Sequence, residues 1–211
     1  SLLWLQAAHA GEGDLLRLPQ AGYRGLALEE TLEQRRTVRE FSSQPMSLQA
    51  LSQLLWAAQG ITSERGFRTA PSAGALYPLE IDVVVGAIEG LPPGVYRYVP
   101  KSHSLSKVLD GDHRKETART ALGQRWMADA PIMIIISAVA QRTERKYGDR
   151  AELYVPIEAG AAAQNVLLQA ISLRLSAATV GAFDPQQLHK LLGAKKNEEP
   201  LLILPVGWAA F

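Results

Sequence analysis

The sequence predicts an α+β fold in which helices cover the faces of one β-sheet. Two strand patterns at residues 79–87 and 94–100 are joined by the short turn EGLPPG, which favours an antiparallel hairpin. Helices and strands alternate irregularly, and no GxGxxG motif follows the first strand, so a dinucleotide-binding fold is poorly supported. A chain of 211 residues is long enough for one well-buried core.

The first elements along the chain are an arm and two helices. We predict that residues 1–27 form an N-terminal arm packed on a single domain of residues 28–211, because the arm contains Trp4, Leu15 and Leu18. Residues 28–36 predict a short helix with acids in its early turns and cations at its end. Ser47 is predicted to cap a second helix that ends at Gly60.

The remaining elements follow from apolar runs and their spacing. They are a helix at 114–122, a central buried strand at 131–138, a core helix at 157–175, a helix at 185–192 capped by Asp184, and a final strand at 200–206. On the core helix, Glu158, Asn165, Gln169 and Ser172 form one polar stripe, which we interpret as satisfying loop backbone.

Composition narrows the function to small-molecule chemistry. The 22 basic and 21 acidic residues leave a net charge of +1, so we expect no nucleic-acid partner. No apolar run approaches the roughly 20 residues of a membrane span. The absence of cysteine excludes disulfides and thiolate nucleophiles, and the four scattered histidines predict no metal site. We expect a cytoplasmic protein.

Three segments are candidates for a binding site. The loop of residues 69–78, TAPSAGALYP, is either a plain turn or a place where small side chains let backbone amides approach a flat or anionic ligand. Arg35, Arg36 and Arg39 either cap a helix or present guanidinium groups to a phosphate, with Thr37 adding a hydroxyl. The turn of residues 180–184, VGAFD, is a third candidate, and it is equally explained as a plain strand-to-helix connection with Asp184 as the N-cap.

Lys146 and Tyr147 lie in the polar segment RTERKYGDR, which we interpret as a loop between the buried strand and the core helix. Residues of such a loop usually face solvent, although loops beside a ligand tend to carry substrate chemistry. Both interpretations stay open from the residues alone.

Three motifs in order, RRTVREF, PSAGALYP and VGAFD, together resemble the nitroreductase family of flavoproteins. The LLWAAQGIT, GVYRY, ALGQRWM and EAGAAAQN segments extend the resemblance over residues 28–207 and are similar to the SagB or thiazoline-oxidase-type dehydrogenase branch. The resemblance implies a nitroreductase-like fold, with a central and largely antiparallel sheet, and a homodimer with one FMN in each of two interface clefts.

The resemblance also implies roles for individual residues. One subunit's Arg35, Arg36, Thr37 and Arg39 would hold the FMN phosphate and the N1 and O2 edge of the ring, and its Gly181 and Ala182 would approach N5. The partner's loop would line the same flavin through the residues that correspond to Pro71, Ser72, Ala73, Gly74 and Leu76. Lys146 and Tyr147 align with a Lys-Tyr pair that azoline-oxidising members use beside the flavin.

The implied function is an FMN-dependent oxidoreductase that passes reducing equivalents from NAD(P)H to a small acceptor, such as a nitroaromatic or quinone, by a ping-pong mechanism. The alternatives are a dehydrogenase of thiazolines or oxazolines in a modified peptide, and a flavin-binding module without catalysis. Two positions depart from the family pattern, because Ala161 stands where a histidine is common and Trp208 where a basic residue is common. The choice between NADH and NADPH stays open.

Overall fold

The computed structural model describes residues 15–23 and 25–210, and within these ranges it contains seven strands and six α-helices. The strands are Leu16–Arg17 (β1), Leu79–Val85 (β2), Gly94–Val99 (β3), Ser104–Asp110 (β4), Ile132–Ala138 (β5), Ser176–Ala177 (β6) and Glu199–Gly207 (β7). The helices are Leu28–Gln34 (α1), Leu48–Gln59 (α2), Arg114–Thr120 (α3), Gln141–Tyr147 (α4), Ala151–Ser172 (α5) and Pro185–Leu191 (α6).

The strands form one sheet in the order β1-β4-β3-β2-β5-β7-β6, and every neighbouring pair among them is antiparallel. The predicted hairpin of β2 and β3 is confirmed, with Val84 opposite Val95. Strand β5 lies between β2 and β7, and all seven of its residues are buried. The predicted α+β class and mostly antiparallel sheet are therefore confirmed.

The two faces of the sheet carry separate hydrophobic clusters because side chains alternate along each strand. On β5, Ile134 joins the cluster that includes α2 and α5, whereas Met133 joins the cluster that includes α3 and α6. The core is thus three layers deep, with the long helix α5 on one face.

Two predicted helix caps are confirmed by their hydrogen bonds. The Ser47 hydroxyl accepts a bond of 3.1 Å from the Ala50 amide at the start of α2. The Asp184 carboxylate accepts bonds from the amides of Gln186 and Gln187, each 3.0 Å long, at the start of α6. These side chains satisfy backbone donors that have no partner within the helix.

Two sequence predictions were wrong, and one strand was missed. Helix α5 begins at Ala151 rather than at residue 157, and it continues through Pro156. Proline costs an internal hydrogen bond, but Ala151, Val155 and Ala159 are all buried at helical spacing, and this packing keeps the segment helical. Lys146 and Tyr147 end helix α4 rather than lying in a loop. Strand β4 was not predicted, because SLSKVLD is polar and partly exposed.

The described part of the arm packs on the sheet. Strand β1 pairs with β4, and Leu18 is buried. The Ser52 hydroxyl donates a bond of 2.5 Å to the Pro19 carbonyl, and His103 lies within 3.0 Å of the same carbonyl. Trp4 and the other residues before Leu15 lie outside the described residues, so the division into an arm of 1–27 and a domain of 28–211 stays a prediction.

Candidate active site

The loop of residues 71–78 has a strained backbone. Gly74, Ala75 and Tyr77 have φ angles of 62°, 55° and 46°. Glycine adopts this left-handed region freely, but for any other residue the conformation costs about 1–2 kcal/mol of folding free energy. Strain of this kind persists only where surrounding contacts hold the backbone in place, and it is concentrated at ligand-binding segments.

Tyr77 supplies most of the contacts that hold this loop. Its amide donates to the Ser72 hydroxyl at 2.8 Å, and its carbonyl accepts from Arg142 at 3.0 Å. Its hydroxyl accepts from the Arg68 amide at 3.2 Å, and the Arg68 guanidinium lies 4.4 Å from the centre of its ring. Arg142 is itself paired with Glu80 on β2. The loop is therefore tied to the sheet, to α4 and to the segment after α2.

Gly74 lies directly against the end of helix α4. A Cβ atom placed on Gly74 would be 3.0 Å from the Lys146 Nζ and 2.9 Å from the Tyr147 hydroxyl. The structure thus brings the predicted loop and the predicted Lys-Tyr pair together within one chain. Tyr147 also meets Tyr154 edge to face at 5.2 Å between ring centres. Tyr154 was not singled out from the sequence, because it lies in the part of α5, residues 151–156, that the sequence left unassigned.

Glu158 lies beneath this loop and is only 4% exposed. Burial raises the pKa of Glu158 to about 6, although the Ser72 hydroxyl, Arg68 and the Ala73 backbone act in the opposite direction. Of the other members of the polar stripe, Asn165 and Ser172 bond to backbone groups as predicted, whereas Gln169 accepts a bond of 3.3 Å from the Gln53 side chain. Asn165 donates to the Ala57 and Thr69 carbonyls at 3.1 and 3.2 Å, and the Ser172 hydroxyl accepts from the Leu26 amide at 3.2 Å.

The segment of residues 35–41, which contains Arg35, Arg36 and Arg39 and is called the arginine segment below, has other neighbours than the loop. Thr37 pairs with Ala177 of β6, and the Val38 amide donates to the Ala177 carbonyl at 3.1 Å. Phe41 pairs with Ala209, so the segment also runs beside the C-terminal end of the chain. The structure therefore brings Thr37 and its neighbours next to the connection that contains Gly181 and Ala182.

The arginine side chains have different surroundings. Arg36 donates bonds of 2.8 Å to the carbonyls of Glu33 and Arg35, which is the helix-capping arrangement that the sequence left open. The Arg39 guanidinium lies 5.9 Å from the centre of the Trp126 ring. Arg35 is half-buried, and Arg39 is exposed. The guanidinium groups of Arg35 and Arg39, unlike that of Arg36, therefore make no hydrogen bond to the end of helix α1.

Two residues of the ALGQRWM segment complete this region. Trp126 stacks on Phe41 with ring centres 6.2 Å apart, and Gln124 donates to the Ala182 carbonyl at 3.3 Å. The sequence marked this segment as typical of the family but did not indicate that these two side chains meet Arg39 and Ala182. The contacts of Trp126 with Arg39 and of Gln124 with Ala182 join residues that are far apart in the chain.

Gly181 lies beside Leu202, which lines a groove between α5 and β7. A Cβ atom placed on Gly181 would meet only Leu202, at 4.0 Å, so the backbone here is open to a ligand. The groove has a volume of about 450 Å³ and is lined mainly by small and apolar residues, among them Gly160, Ala163 and Leu202. Pockets of about 300–1,000 Å³ with such linings are typical small-molecule sites.

The loop and the arginine segment do not meet through any hydrogen bond, ion pair or ring contact within the described ranges. Nor do those ranges contain a group of three or more histidine, aspartate or glutamate residues that could hold a metal ion. None of the described helices combines the length and the apolar character that crossing a membrane requires.

The class of protein that this structure fits is an oxidoreductase with the nitroreductase fold. The antiparallel sheet of an α+β protein, the strained loop beside Lys146 and Tyr147, and the separate arginine segment all agree with that class. The nitroreductase family model matches residues 32–208. The chain is 47% identical over 195 residues to a predicted nitroreductase of Methanocaldococcus jannaschii, covering 92% of this chain and 98% of that protein. The chain belongs to the nitroreductase family and is an enzyme.

Solved structures agree with this assignment. A predicted nitroreductase from Ralstonia eutropha JMP134 superposes with a TM-score of 0.83 at 32% identity, covering 100% of this chain and 96% of that one. Two more distant structures share the fold alone. They are the Escherichia coli microcin synthetase McbBCD complex (TM-score 0.72, 19% identity, 99% and 85% coverage) and the Vibrio harveyi NADPH:FMN oxidoreductase (TM-score 0.64, 21% identity, 87% and 69% coverage).

Proposed function

We propose that the protein is an FMN-dependent oxidoreductase that takes reducing equivalents from NADH or NADPH and passes them to a small acceptor such as a nitroaromatic or a quinone. The observation that carries the proposal is the pairing of Thr37 with Ala177, which lies at the start of the connection from β6 to α6 that contains Gly181 and Ala182. The Vibrio relative of the same fold is named for NADPH and FMN, which supports this choice of cofactors.

The described residues fit a flavin. FMN needs a cationic site for its phosphate and a smooth apolar surface for its planar ring. Arg35 and Arg39 supply the cations, with the Thr37 hydroxyl between them in the sequence. The groove beside Gly181 supplies a surface of small side chains, and a Cβ added to Gly160 would meet nothing within 4 Å.

The residues around the cofactor would have separate roles. FMN supplies hydride transfer when it is bound. Arg35, Arg36, Thr37 and Arg39 would hold its phosphate and the polar edge of its ring, and a fixed cation at that edge favours the negative charge that reduction adds. The exposed backbone of Gly181 and Ala182 would lie against N5 and keep that position free of side chains.

We propose that the active form is a homodimer in which Pro71, Ser72, Ala73, Gly74 and Leu76 of one subunit line the FMN held by the arginine segment of the other. The separation of these two segments within one chain supports this arrangement. Large apolar side chains also remain exposed on α1 and α5: Leu28 is 59% exposed, Leu32 51%, Leu153 47% and Ile157 59%. A second copy that covers them would remove this surface from water.

The flavin proposal has a direct optical test. Purified protein incubated with FMN and desalted should be yellow, and anaerobic NADH or NADPH should bleach the flavin band. Added quinone should restore the band, and initial rates should give the parallel double-reciprocal lines of a ping-pong mechanism. Arg39→Ala should weaken FMN affinity at least tenfold, whereas Arg65→Ala, which changes an exposed arginine of another loop, should not. Colourless protein that rejects FMN would refute the proposal.

The dimer has a separate test. Light scattering should report twice the mass of 22.9 kDa for the protein that retains FMN. A monomer that holds FMN tightly would contradict the shared site.

The second candidate is an azoline dehydrogenase acting on a modified peptide. The contact of Gly74 with Lys146 and Tyr147 favours it, because a deprotonated lysine amine or tyrosine phenolate beside the flavin would accept the proton that azoline oxidation releases, while the hydride passes to the flavin. The fold shared with a microcin synthetase complex agrees with this reading. Lys146→Ala and Tyr147→Phe should then abolish turnover of a peptide thiazoline, with Arg145→Ala as the exposed control on the same helix. Unchanged turnover by Lys146→Ala would remove this candidate.

A further inference from the structure

A cavity beside α3 has no part in the function proposed above. Its walls are α3, the short helical turn Arg125–Asp129 and the connection between them. Its volume is about 740 Å³, compared with about 450 Å³ for the groove that Leu202 lines. Cavities of about 300–1,000 Å³ are typical of small-molecule sites. The cavity is therefore large enough to hold a ligand of its own.

The cavity lies on the opposite face of the sheet from the surface proposed for the dimer. Ala118 of α3 packs in the same hydrophobic cluster as Met133 of β5. Helix α5 packs in the cluster of Ile134, the next residue of that strand, and α1 packs against α5. A second copy that covers α1 and α5 would therefore leave this cavity open.

The lining of the cavity is mainly cationic where it is charged. Lys115, Arg119 and Arg125 line it, together with one acidic side chain, Asp129. Among the residues that the structure describes, Lys115 and Arg125 have no ion-pair partner, and Arg119 pairs with Glu116 at 3.3 Å. That pair is largely exposed, so it holds Arg119 only weakly. Ammonium and guanidinium groups of this kind bind phosphate. The lining thus favours an anionic ligand.

Trp126 adds a flat aromatic surface to the same cavity. It is half-buried, and its ring is held in place by stacking on Phe41, with 6.2 Å between ring centres. Ala118 and Ala128 add small apolar side chains to the lining. The planar rings of nucleotide bases stack on aromatic side chains of this kind. The cavity therefore offers a surface for a ring beside groups that bind a phosphate.

The connection between α3 and the helical turn leaves one wall of the cavity without side chains. Gly123 lines the cavity, and a Cβ atom added there would meet nothing within 4 Å. Its φ is 73°, and that of the preceding Leu122 is 57°. Leu122 is not a glycine, so its left-handed backbone is strained, and strain of this kind is concentrated at functional segments.

We propose that this cavity is a second binding site, for a nucleotide that presents a planar base and a phosphate. The base stacks on Trp126, and Lys115, Arg119 and Arg125 bind the phosphate. The site is separate from the proposed FMN site, because none of residues 35–41, all of which the structure describes, lines it. The proposal goes beyond the oxidoreductase function and does not depend on it.

The first test compares three probes by calorimetric titration of protein saturated with FMN, so that the flavin site is filled. AMP should bind at least tenfold more tightly than adenosine or inorganic phosphate, because AMP alone carries both the base and the phosphate. The dissociation constant for AMP should rise with added NaCl, because salt screens exposed charges.

The second test removes the cations. Lys115→Ala combined with Arg125→Ala should weaken AMP binding at least tenfold and leave the affinities for adenosine and FMN unchanged. Lys101→Ala combined with Arg65→Ala is the matched control, because it removes one exposed lysine and one exposed arginine elsewhere. The control should bind AMP as the wild type does.

Trp126→Leu tests the ring. AMP should quench part of the tryptophan fluorescence of the wild type, and this quenching should be absent in Trp126→Leu. AMP should then bind no more tightly than inorganic phosphate does. Urea denaturation checks that the variant remains folded, because Trp126 also packs on Phe41.

The proposal is overturned if AMP binds no more tightly than phosphate, if the control pair loses as much affinity as the cavity pair, or if quenching persists in a folded Trp126→Leu. Weaker FMN binding by the cavity pair would make the cavity part of the flavin site and would also overturn it. If the wild type rejects FMN, the proposed function fails. The same AMP titrations on protein without FMN then still decide whether Lys115, Arg125 and Trp126 form a nucleotide site.

Discussion

Replacement of Arg97 by methionine should strongly destabilise the protein. Arg97 on β3 donates two bonds to Asp82, of 2.6 and 2.9 Å, and two to Glu198, of 2.7 and 3.3 Å. The side chains of Asp82 and Glu198 are only 1% and 2% exposed. Burial disfavours the charge of Arg97, but these two carboxylates outweigh burial and raise its pKa. Arg97→Met leaves both carboxylates buried without their cation.

The expected loss is about 3–5 kcal/mol of unfolding free energy near pH 8, the usual result when one partner of a buried ion pair is removed. Burial already raises the pKa of Asp82, and loss of Arg97 raises it further. A carboxyl group with a raised pKa favours the folded state at low pH and loses that contribution as the pH rises through its folded pKa. The penalty of Arg97→Met should therefore shrink as the pH falls towards 4.

Urea denaturation at pH 8 and at pH 4.5 measures both effects. Arg119→Met is the matched control, because its pair with Glu116 is largely exposed and should contribute about 0–1 kcal/mol. Replacing Arg97, Asp82 and Glu198 together by apolar residues should recover most of the loss. The reasoning is refuted if Arg97→Met costs no more than Arg119→Met at pH 8, or if its cost grows in acid.

Three further changes test local geometry. Gly74→Ala should lower the free energy of unfolding by about 1–2 kcal/mol through backbone strain, and by a further amount through contact with α4. Gly66→Ala is the control, because Gly66 has a φ of 78° and nothing within 4 Å, so this change should add only the strain. Equal losses of stability in urea would contradict the contact with α4. Ser47→Ala should cost about 1 kcal/mol by removing the cap of α2, and a thermal scan without any shift would argue against that cap. Asn165→Leu should cost about 1–3 kcal/mol, because it withdraws a donor from two carbonyls. For Asn165→Leu, a stability within 0.5 kcal/mol of wild type, a size typical of neutral surface changes, would count against this reasoning.

Elements whose signals are local could be predicted well. The hairpin of β2 and β3, the buried strand β5 and the caps at Ser47 and Asp184 each depend on a few consecutive residues. The start of α5 could not be predicted, because Pro156 opposes a helix locally. Packing of Ala151 and Val155 in the core decides that start.

In the candidate site, too, the segments could be predicted from the sequence, but the contacts between segments could not. The sequence indicated the arginine segment, the small-residue loop, Lys146 with Tyr147, and the turn at Gly181. It did not indicate Trp126 beside Arg39, Tyr154 beside Tyr147, or Glu158 beneath Ser72. Each of these pairs joins residues whose side chains meet only after separate elements have packed.

The amino-acid sequence by itself determined the fold class, most helix and strand positions and the family, because hydrophobic period, capping residues and motif order are properties of neighbouring residues. Tertiary structure alone decided that Gly74 meets Lys146 and Tyr147, and that the pKa of Glu158 is raised. The physical reason is that desolvation and close contact depend on which elements cover one another, and residues 74, 146 and 158 are brought together only by the packing of α4, α5 and the loop around the end of the sheet.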